Sequence, residues 1–374
     1  MATPMHDLLG IDQYTELFWE AYRNMELYES GLSATDAAAA ASSNLVSALG
    51  YNPYGITEPV DNQGNLSEVP AWDTDWKGAI LNNSAYKKQH GLSISGGTDK
   101  TTFYLGSNYL KEQGQVKSTY FERFATRLNV NTEVNDYISS GLNFSYTSSK
   151  QNAPNQSGTS FSNSIQWIYV IPSYYPLYKR GSDGTLLKDS NGFPEFDYGN
   201  NTTQIVNGVR PALSNENGLG VLINNEISNS RTYISMNGYL EFKLLPELNF
   251  KTSVLYEKAS LDNFQYTHNK YGAASSVQGR VSQDRNFFTT LNMIQTLNYK
   301  KTFGAHSINA DGIFESYRFE QNLIQAQGTG YLPNVKVLNG STVPESVGGA
   351  INDCLLYTSP SPRDATLSRM PSSA

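Results

Sequence analysis

Residues Gln89–Lys150 read QHGLSISGGTDKTTFYLGSNYLKEQGQVKSTYFERFATRLNVNTEVNDYISSGLNFSYTSSK, and this stretch decides the fold. Its second half alternates apolar and polar residues with almost no error. Phe124, Thr126, Leu128, Val130, Thr132 and Val134 take the even positions, against Arg123, Ala125, Arg127, Asn129, Asn131 and Glu133 on the odd ones. After a tight turn at Asn135-Asp136 the pattern resumes. Ile138, Leu142, Phe144 and Tyr146 share one face, and Ser139, Gly141, Asn143, Ser145 and Thr147 share the other. A period of two is that of a β-strand, because successive side chains leave opposite faces. The runs exceed the roughly 5–6 residues of a mean soluble strand. One face is apolar and the other polar or charged, as in a membrane β-barrel with lipid outside and a wet lumen inside. Arg123, Arg127, Asn129 and Asn143 are then expected to face the lumen.

The same pattern predicts about eight strands in all: Gln89–Gly96, Thr102–Glu112, Phe121–Val134, Tyr137–Lys150, Ser230–Leu244, Leu248–Asn263, Arg285–Lys300 and His306–Glu320. Their connections are asymmetric. Thr98-Asp99-Lys100, Asn135-Asp136, Pro246-Glu247 and Phe303-Gly304-Ala305 are short turns. Between them lie longer links at Gln113–Tyr120, Gln151–Asn229, Phe264–Asp284 and from Gln321 onward. Alternation of short and long puts every short turn at one end of an antiparallel sheet, the distribution found in outer-membrane barrels. Tyr109, Tyr137, Tyr146, Tyr256 and Tyr299 near strand ends would join aromatic girdles at the membrane interfaces; ordinary cross-strand packing is the alternative. The expected fold class is all-β: a partial antiparallel transmembrane barrel with a helical loop near the N-terminus. A soluble β-sandwich with a binding or adhesive role is the rival.

Residues 1–88 follow a different rule. Tyr14, Leu17, Phe18, Ala21 and Tyr22 have helical spacing, with Asp12 as N-cap. A second helix runs from Ala34 to Leu49, capped by Ser33 and ended by Gly50. Asn52-Pro53, Pro59, Asn62–Gly64 and Pro70 then signal loop. This segment reads as a structured extracellular loop with two short helices or as a small helical subdomain. Residues 89–352 read as the partial barrel, with a long loop at 151–229.

Residues Asp353–Ala374, DCLLYTSPSPRDATLSRMPSSA, lose the strand pattern and turn to Pro and Ser. The string resembles a recurring non-biological tail, produced when sequencing-adapter DNA is translated at a contig end. On that reading 353–374 carries no function, and Cys354, the one cysteine, is not interpreted. Met1–Gly10 lacks the basic and apolar regions of a signal peptide, so the true start is expected upstream.

Composition excludes several classes. The 374 residues carry a net charge of −7 and no basic stripe, which argues against nucleic acid. Charged residues are 16%, below the ~25% of ordinary soluble domains, while 25 Tyr and 16 Phe make the chain rich in aromatics. No apolar run approaches the ~20 residues of a membrane helix, but barrel strands hide their hydrophobicity in alternation. His6, His90, His268 and His306 are scattered without ligand spacing, so neither metal nor other cofactor is expected. Gly91-Leu92-Ser93-Ile94-Ser95 lacks the last glycine and the helix of a nucleophile elbow. Gly218-Leu219-Gly220 lacks the third glycine of a dinucleotide loop. Asp189-Ser190-Asn191-Gly192 lacks the ligands of a calcium loop; it and Asp183-Gly184 read as hairpin turns. Nothing assembles an acid–base pair, and no enzyme is expected. Trp167, Tyr169, Tyr174, Tyr175 and Tyr178, in a proline-containing loop, offer flat faces that would stack on sugars or peptide side chains; a loop packed by its own aromatics is the alternative.

The run from Gly91 to Asn131 resembles the early barrel of the SusC/RagA-type TonB-linked outer-membrane transporters. That family shows a serine-rich strand, SGGTDKT at the turn, a tyrosine strand, a glycine-containing link and an Arg-x-x-x-Arg strand followed by Leu-Asn. Here these are Ser93–Thr101, including Ser95, Gly96, Gly97, Thr98, Asp99 and Lys100, then Tyr104–Tyr109, Gly114, Arg123, Arg127, Leu128 and Asn129. Tyr14–Asn24, Gly50-Tyr51-Asn52-Pro53 and Asp75-Trp76 also fit the loop after the family's first barrel strand. The resemblance covers about residues 10–330. It implies a plugged barrel of about 22 strands in the outer membrane. It also implies a SusD-type surface lipoprotein as lid, glycan or peptide as substrate, and energy from the TonB complex acting on the plug. The signal peptide, TonB box, plug, first strand and C-terminal strands of that family have no counterpart here, so the chain reads as an internal fragment.

Overall fold

Consecutive hairpins build the sheet in the computed structural model. It describes residues 8–154, 163–181, 184–200, 210, 213–333 and 335–358. Nine strands, β1 (Lys87–Gly97), β2 (Thr101–Gln113), β3 (Tyr120–Asn135), β4 (Ile138–Asn152), β5 (Glu226–Leu245), β6 (Leu248–Thr267), β7 (Arg280–Phe303), β8 (His306–Thr329) and β9 (Val343–Thr358), pair antiparallel in chain order. Among the described residues no second sheet packs on this one, so the two facing layers of a sandwich are absent. Short turns close β1–β2, β3–β4, β5–β6 and β7–β8 at one end, and the long connections gather at the other. No helix of the described residues is long and apolar enough to cross a membrane.

The register shows how the sheet is tilted. One row of directly paired residues runs Ile94, Leu105, Leu128, Phe144, Met236, Tyr256, Leu291. Ile94 lies three residues before the end of β1, Leu128 seven before the end of β3, Met236 nine before the end of β5 and Leu291 twelve before the end of β7. The row climbs away from the short turns at every hairpin. A steady stagger of one sign is the shear that strands tilted around a barrel require.

The row also fixes the faces, because directly paired residues point the same way. The apolar face carries Ile94, Phe103, Leu105, Leu128, Val130, Leu142, Phe144, Ile234, Met236, Leu240, Val254 and Leu291. The other carries Arg123, Arg127, Asn129, Asn143, Ser145, Asn237 and Glu257; Asn129 pairs directly with Asn143, and Arg127 with Ser145. Many apolar-face side chains are exposed, Leu92, Ile94, Leu105 and Leu240 among them, as expected of a face that meets lipid. Tyr109, Tyr146, Tyr256 and Tyr299 lie on this face, whereas Tyr137 sits in a turn.

The strands are longer than the alternation indicates. β5 to β8 run several residues further toward the long connections, and on β6 and β7 the added stretch holds the buried Tyr266 and Val281, which pack with Tyr331. Tyr256 therefore lies mid-strand rather than near an end. The alternation does not mark β9, whose last residues, Asp353–Thr358, pair with Glu315–Glu320. Residues 359–374 lie outside the described residues.

The packed core sits above the sheet. α1 (Ile11–Tyr28), α2 (Ala34–Leu49) and α3 (Trp76–Ile80) join α4 (Ser164–Val170) and α5 (Gly218–Asn224) from the β4–β5 connection in one cluster around Trp19, Leu45, Tyr51, Trp76, Trp167 and Tyr174. The Trp19 indole donates to Ser42 Oγ at 2.9 Å and ties α1 to α2. Ser33 caps α2 by accepting from Asp36 N, and Gly50, at φ 81°, ends it. The N-cap of α1 is Gly10, not Asp12. Asp12 stands in the first turn, where its charge favours the helix N-terminus and its carboxylate accepts from the Tyr54 hydroxyl at 3.0 Å. α3 is a third helix beyond the two expected, capped by Asp75.

Candidate functional site

Two regions meet where chemistry with a solute is possible: the polar wall of the sheet and the loop assembly at its long-loop end. On the wall, Gly91, Ser93, Gly106, Asn108, Arg127 and Ser145 line a hollow of about 580 Å³. Gly91 and Gly106 open it by having no side chain. Further along, the Tyr233 hydroxyl donates to the Glu257 carboxylate, and Asn131, Asn143 and Asn237 add amide donors and acceptors. Such a wall can solvate a polar solute or a protein surface, but it assembles no nucleophile with a base. Among the described residues no three His, Cys, Asp or Glu side chains come together as metal ligands.

The turn at Ser95–Lys100 is built by close approach. A Cβ at Gly97 would collide with the Thr101 carbonyl, and one at Gly96 would press on the Phe103 ring at 3.1 Å. Thr98 Oγ1 accepts from the amides of Lys100 and Thr101 at 3.3 and 3.2 Å. The Lys100 carbonyl accepts from Glu133 N at 2.7 Å and docks the turn on β3. Each glycine thus has a steric reason, and the turn's role is architectural.

In the loop assembly the five singled-out aromatics separate. Trp167, Tyr174 and Tyr175 are core, with Trp167 only 1% exposed. Trp167 packs on Trp76 at 4.9 Å, and Tyr51 packs on both Tyr174 and Tyr175. This corrects the expectation of ligand contact for these three, since their faces are covered by protein. Tyr178 stacks on Phe196 at 5.2 Å, where a small ladder pairs Tyr178 with Phe196 and Lys188 with Pro194 around the Asn191-Gly192 turn. Asp183 of the other expected hairpin turn lies outside the described residues. Tyr169 is 57% exposed. It borders a cleft of about 360 Å³ with Asp73, Asp75, Lys77 and Ile168.

A buried polar network that sequence reasoning missed locks this assembly. Tyr51 donates to Asp197 at 2.5 Å, and Gly199 N donates to the other carboxylate oxygen at 2.7 Å. Asn217 donates to the carbonyls of Leu177 and Asp197 at 3.0 and 2.8 Å. The Arg210 guanidinium lies over Trp167 and Tyr175 at 5.3 and 5.1 Å and donates to the Glu216 carbonyl at 2.7 Å. Burial raises the Asp197 carboxyl above the usual carboxylate range, against the Tyr51 hydrogen bond and the Arg210 charge. Burial pushes Glu216 up to about 7, with Arg210 opposing. Little in the sequence marks it: Asp197 lies between Phe196 and Tyr198, but Arg210 and Glu216 have no aromatic neighbours in the chain.

No family model matches the chain. TonB-dependent receptor P3 of Formosa agariphila is 26% identical over 263 residues, covering 69% of this chain and 24% of the relative. TonB-dependent receptor P39 of the same organism is 28% identical over 227 residues, covering 58% and 18%. The RagAB peptide transporter superposes with a TM-score of 0.58 over 90% of this chain and 36% of that one, at 16% identity. The RagAB peptide importer in its closed-closed state gives 0.58 over 96% and 37%. The chain is similar in sequence to TonB-dependent receptors and shares the fold of the RagAB structures. It spans about a quarter or less of the length of these curated relatives. Across the described residues the nine strands form one open sheet, a partial barrel, with the short turns at one end and the long loops at the other.

Proposed function

We propose that this chain forms wall and extracellular loops of an outer-membrane importer that takes up oligosaccharides or peptides with energy from the TonB complex. The observation that carries the reading is the climbing register of two-faced strands, with all packed mass gathered at the long-loop end. Tilted strands of this kind close around a lumen, and the polar wall with Arg123, Arg127, Asn129 and Asn143 faces it. The loop assembly stands over the mouth, where Tyr169 and, at its edge, Tyr178 offer aromatic surface to a solute. A SusD-type lipoprotein would cover that mouth, and a plug supplied by the rest of the receptor would fill the lumen. The protein would bind and release its cargo without changing it covalently. The RagAB structures are named as a peptide transporter and a peptide importer, which supports peptide as one of the two solute classes. Residues 353–374 are read as a non-native tail; β9 pairing through Thr358 reflects backbone complementarity to the open edge of β8.

The test is uptake. Cells lacking the full-length receptor gene, with and without a plasmid copy, are fed fluorescent oligosaccharides and oligopeptides of graded length. Receptor-dependent uptake of one class, abolished when TonB is removed, is expected. Equal uptake in both strains for every solute would overturn the reading.

A further inference from the structure

On the apolar face, side chains change character in a fixed order away from the short turns. β2 presents Phe103, Leu105, then Tyr109, then Lys111; β4 presents Leu142, Phe144, Tyr146, then Lys150. β1 presents Ile94, Leu92, His90, then Lys88. Tyr109 pairs directly with Phe124, whose ring lies 6.4 Å from that of Tyr146, so an aromatic belt crosses β2 to β4. One pleat above it, Lys88, Lys111, Glu122 and Lys150 are directly paired in a single row across four strands. Hydrocarbon, aromatic belt and cations is the sequence of layers from a bilayer core to its headgroups.

The charge in this row is unbalanced. Lys111 forms an ion pair with Glu122. Lys88 and Lys150 are exposed and belong to no ion pair in the row, and Lys88 sits 4.6 Å over the Tyr86 ring. Lys88 and Lys111 are directly opposite, an arrangement of like charges that destabilises a strand pair unless an anion lies between them. The row thus gathers three ammonium groups and one carboxylate on a chain whose net charge is −7. Further along the same face, Asp262 and Arg285 neutralise one another at 2.8 Å, and the exposed Lys258 stands alone between Ile234 and Thr289.

We infer that the Lys88–Lys111–Lys150 row is a binding site for the phosphate of a membrane lipid headgroup. Strands spaced about 4.8 Å apart spread the three ammonium groups over roughly 10–15 Å, a span that the long lysine side chains can bridge toward one phosphate. Acyl chains would lie along Leu105, Leu128 and Phe144, the belt would meet the glycerol or sugar level, and the long lysine side chains would reach the phosphate. The inference rests on the barrel reading, since only a sheet that faces lipid gives the row a headgroup to hold.

The experiment uses the full-length receptor reconstituted in phosphatidylcholine vesicles with and without phosphatidic acid, followed by mild detergent extraction and native mass spectrometry. Phosphatidic acid is expected to be retained over phosphatidylcholine by about fivefold for each unpaired lysine. Retention should fall with added salt and resist free inorganic phosphate. The triple variant Lys88→Gln, Lys111→Gln, Lys150→Gln should lose the preference, and the triple Arg variant should keep it. Heat-modifiable migration reports assembly separately. A wild-type receptor with no preference, a Gln variant that retains it, or displacement by free phosphate overturns the inference. A receptor that inserts into neither kind of vesicle overturns the barrel reading itself.

Discussion

The Tyr51 phenol donates to the Asp197 carboxylate across 146 residues of chain, and this bond joins the N-terminal helical segment to the β4–β5 connection. Both groups are buried. The Tyr174 hydroxyl donates in turn to the Tyr51 carbonyl, so one tyrosine is held through its side chain and its backbone. The Tyr51 phenol is pushed well above its ordinary value, first by burial and then by the adjacent carboxylate, so it remains a donor at any physiological pH. Long connections hold a shape only if something other than the sheet orders them, and this network does so.

Tyr51→Phe keeps the ring and removes the donor. Asp197 would retain Gly199 N but lose its strongest neutral partner in a buried site, a cost of about 1–3 kcal/mol. The loss should be confined to the loop assembly. Limited proteolysis should cut the 163–225 connection several times faster, while the fraction of barrel scored by heat-modifiable migration stays unchanged. Equal loss of barrel would mean that the loops and the sheet fold as one unit.

Glu216 makes the same assembly sensitive to pH. Its carboxyl is raised in the folded state from 4.5 to about 7, chiefly by burial. A raised carboxyl binds its proton more tightly when folded. Its stabilising contribution is therefore complete below about 4.5 and is lost as pH rises through about 7. Asp197 shifts in the same direction. His268, lowered first by burial and then by Lys270 and Lys336, acts oppositely and loses its contribution as pH falls below 6.5. After allowance for solvent screening, Glu216 is worth on the order of 1–2 kcal/mol. Hydrogen exchange in residues 213–224, corrected for intrinsic rates, should show more protection near pH ~5 than near pH ~8. Glu216→Gln should flatten that difference; an unchanged pH profile would show that other groups set it.

Trp167 and Tyr169, two residues apart on α4, should behave oppositely. Trp167→Ala empties a site lined by Trp76, Gly218 and Arg210 and should cost about 3–5 kcal/mol of loop stability. Tyr169→Ala removes a mostly exposed ring and should change stability by less than about 0.5 kcal/mol. If Tyr169 touches cargo, its loss should weaken solute binding measured by calorimetry, with the melting of the loops unaltered. Normal solute affinity in Tyr169→Ala would remove it from the binding surface.

How far the sequence could be read follows from where each contact lies in the chain. β1 to β4 were legible because one face is apolar and the other polar, so period two survives along most of each strand. Arg123, Arg127, Asn129 and Asn143 fell on one face for that reason. The upper parts of β6 and β7 bury Tyr266 and Val281 against Tyr331, which lies beyond β8, so no local pattern marks those strand ends. β9 was invisible because Pro344, Glu345 and the Gly348-Gly349 pair have poor strand character, and its partner β8 supplies the order. Burial of Trp167, Tyr174 and Tyr175 depended on Tyr51, Trp72 and Trp76, about a hundred residues away, which no local pattern reveals.

The assignment of faces can be tested at one adjacent pair. Leu142 pairs directly with Val130 and Gly238 on the apolar face, and Asn143 pairs with Asn129 and Asn237 on the polar one. Arg on the lipid face near the membrane midplane costs about 2–4 kcal/mol, whereas lumen positions tolerate charge. Arg127 lies one pleat from Asn129 on the Asn143 face, so that wall already holds a guanidinium. In the full-length receptor, Leu142→Arg should sharply reduce the folded fraction in outer-membrane preparations, scored by heat-modifiable migration. Asn143→Arg should assemble nearly as the wild type does. Equal loss from both would place both faces in a packed interior. A larger loss from Asn143→Arg would turn the sheet inside out and move the Lys88–Lys111–Lys150 row into the lumen, away from any lipid.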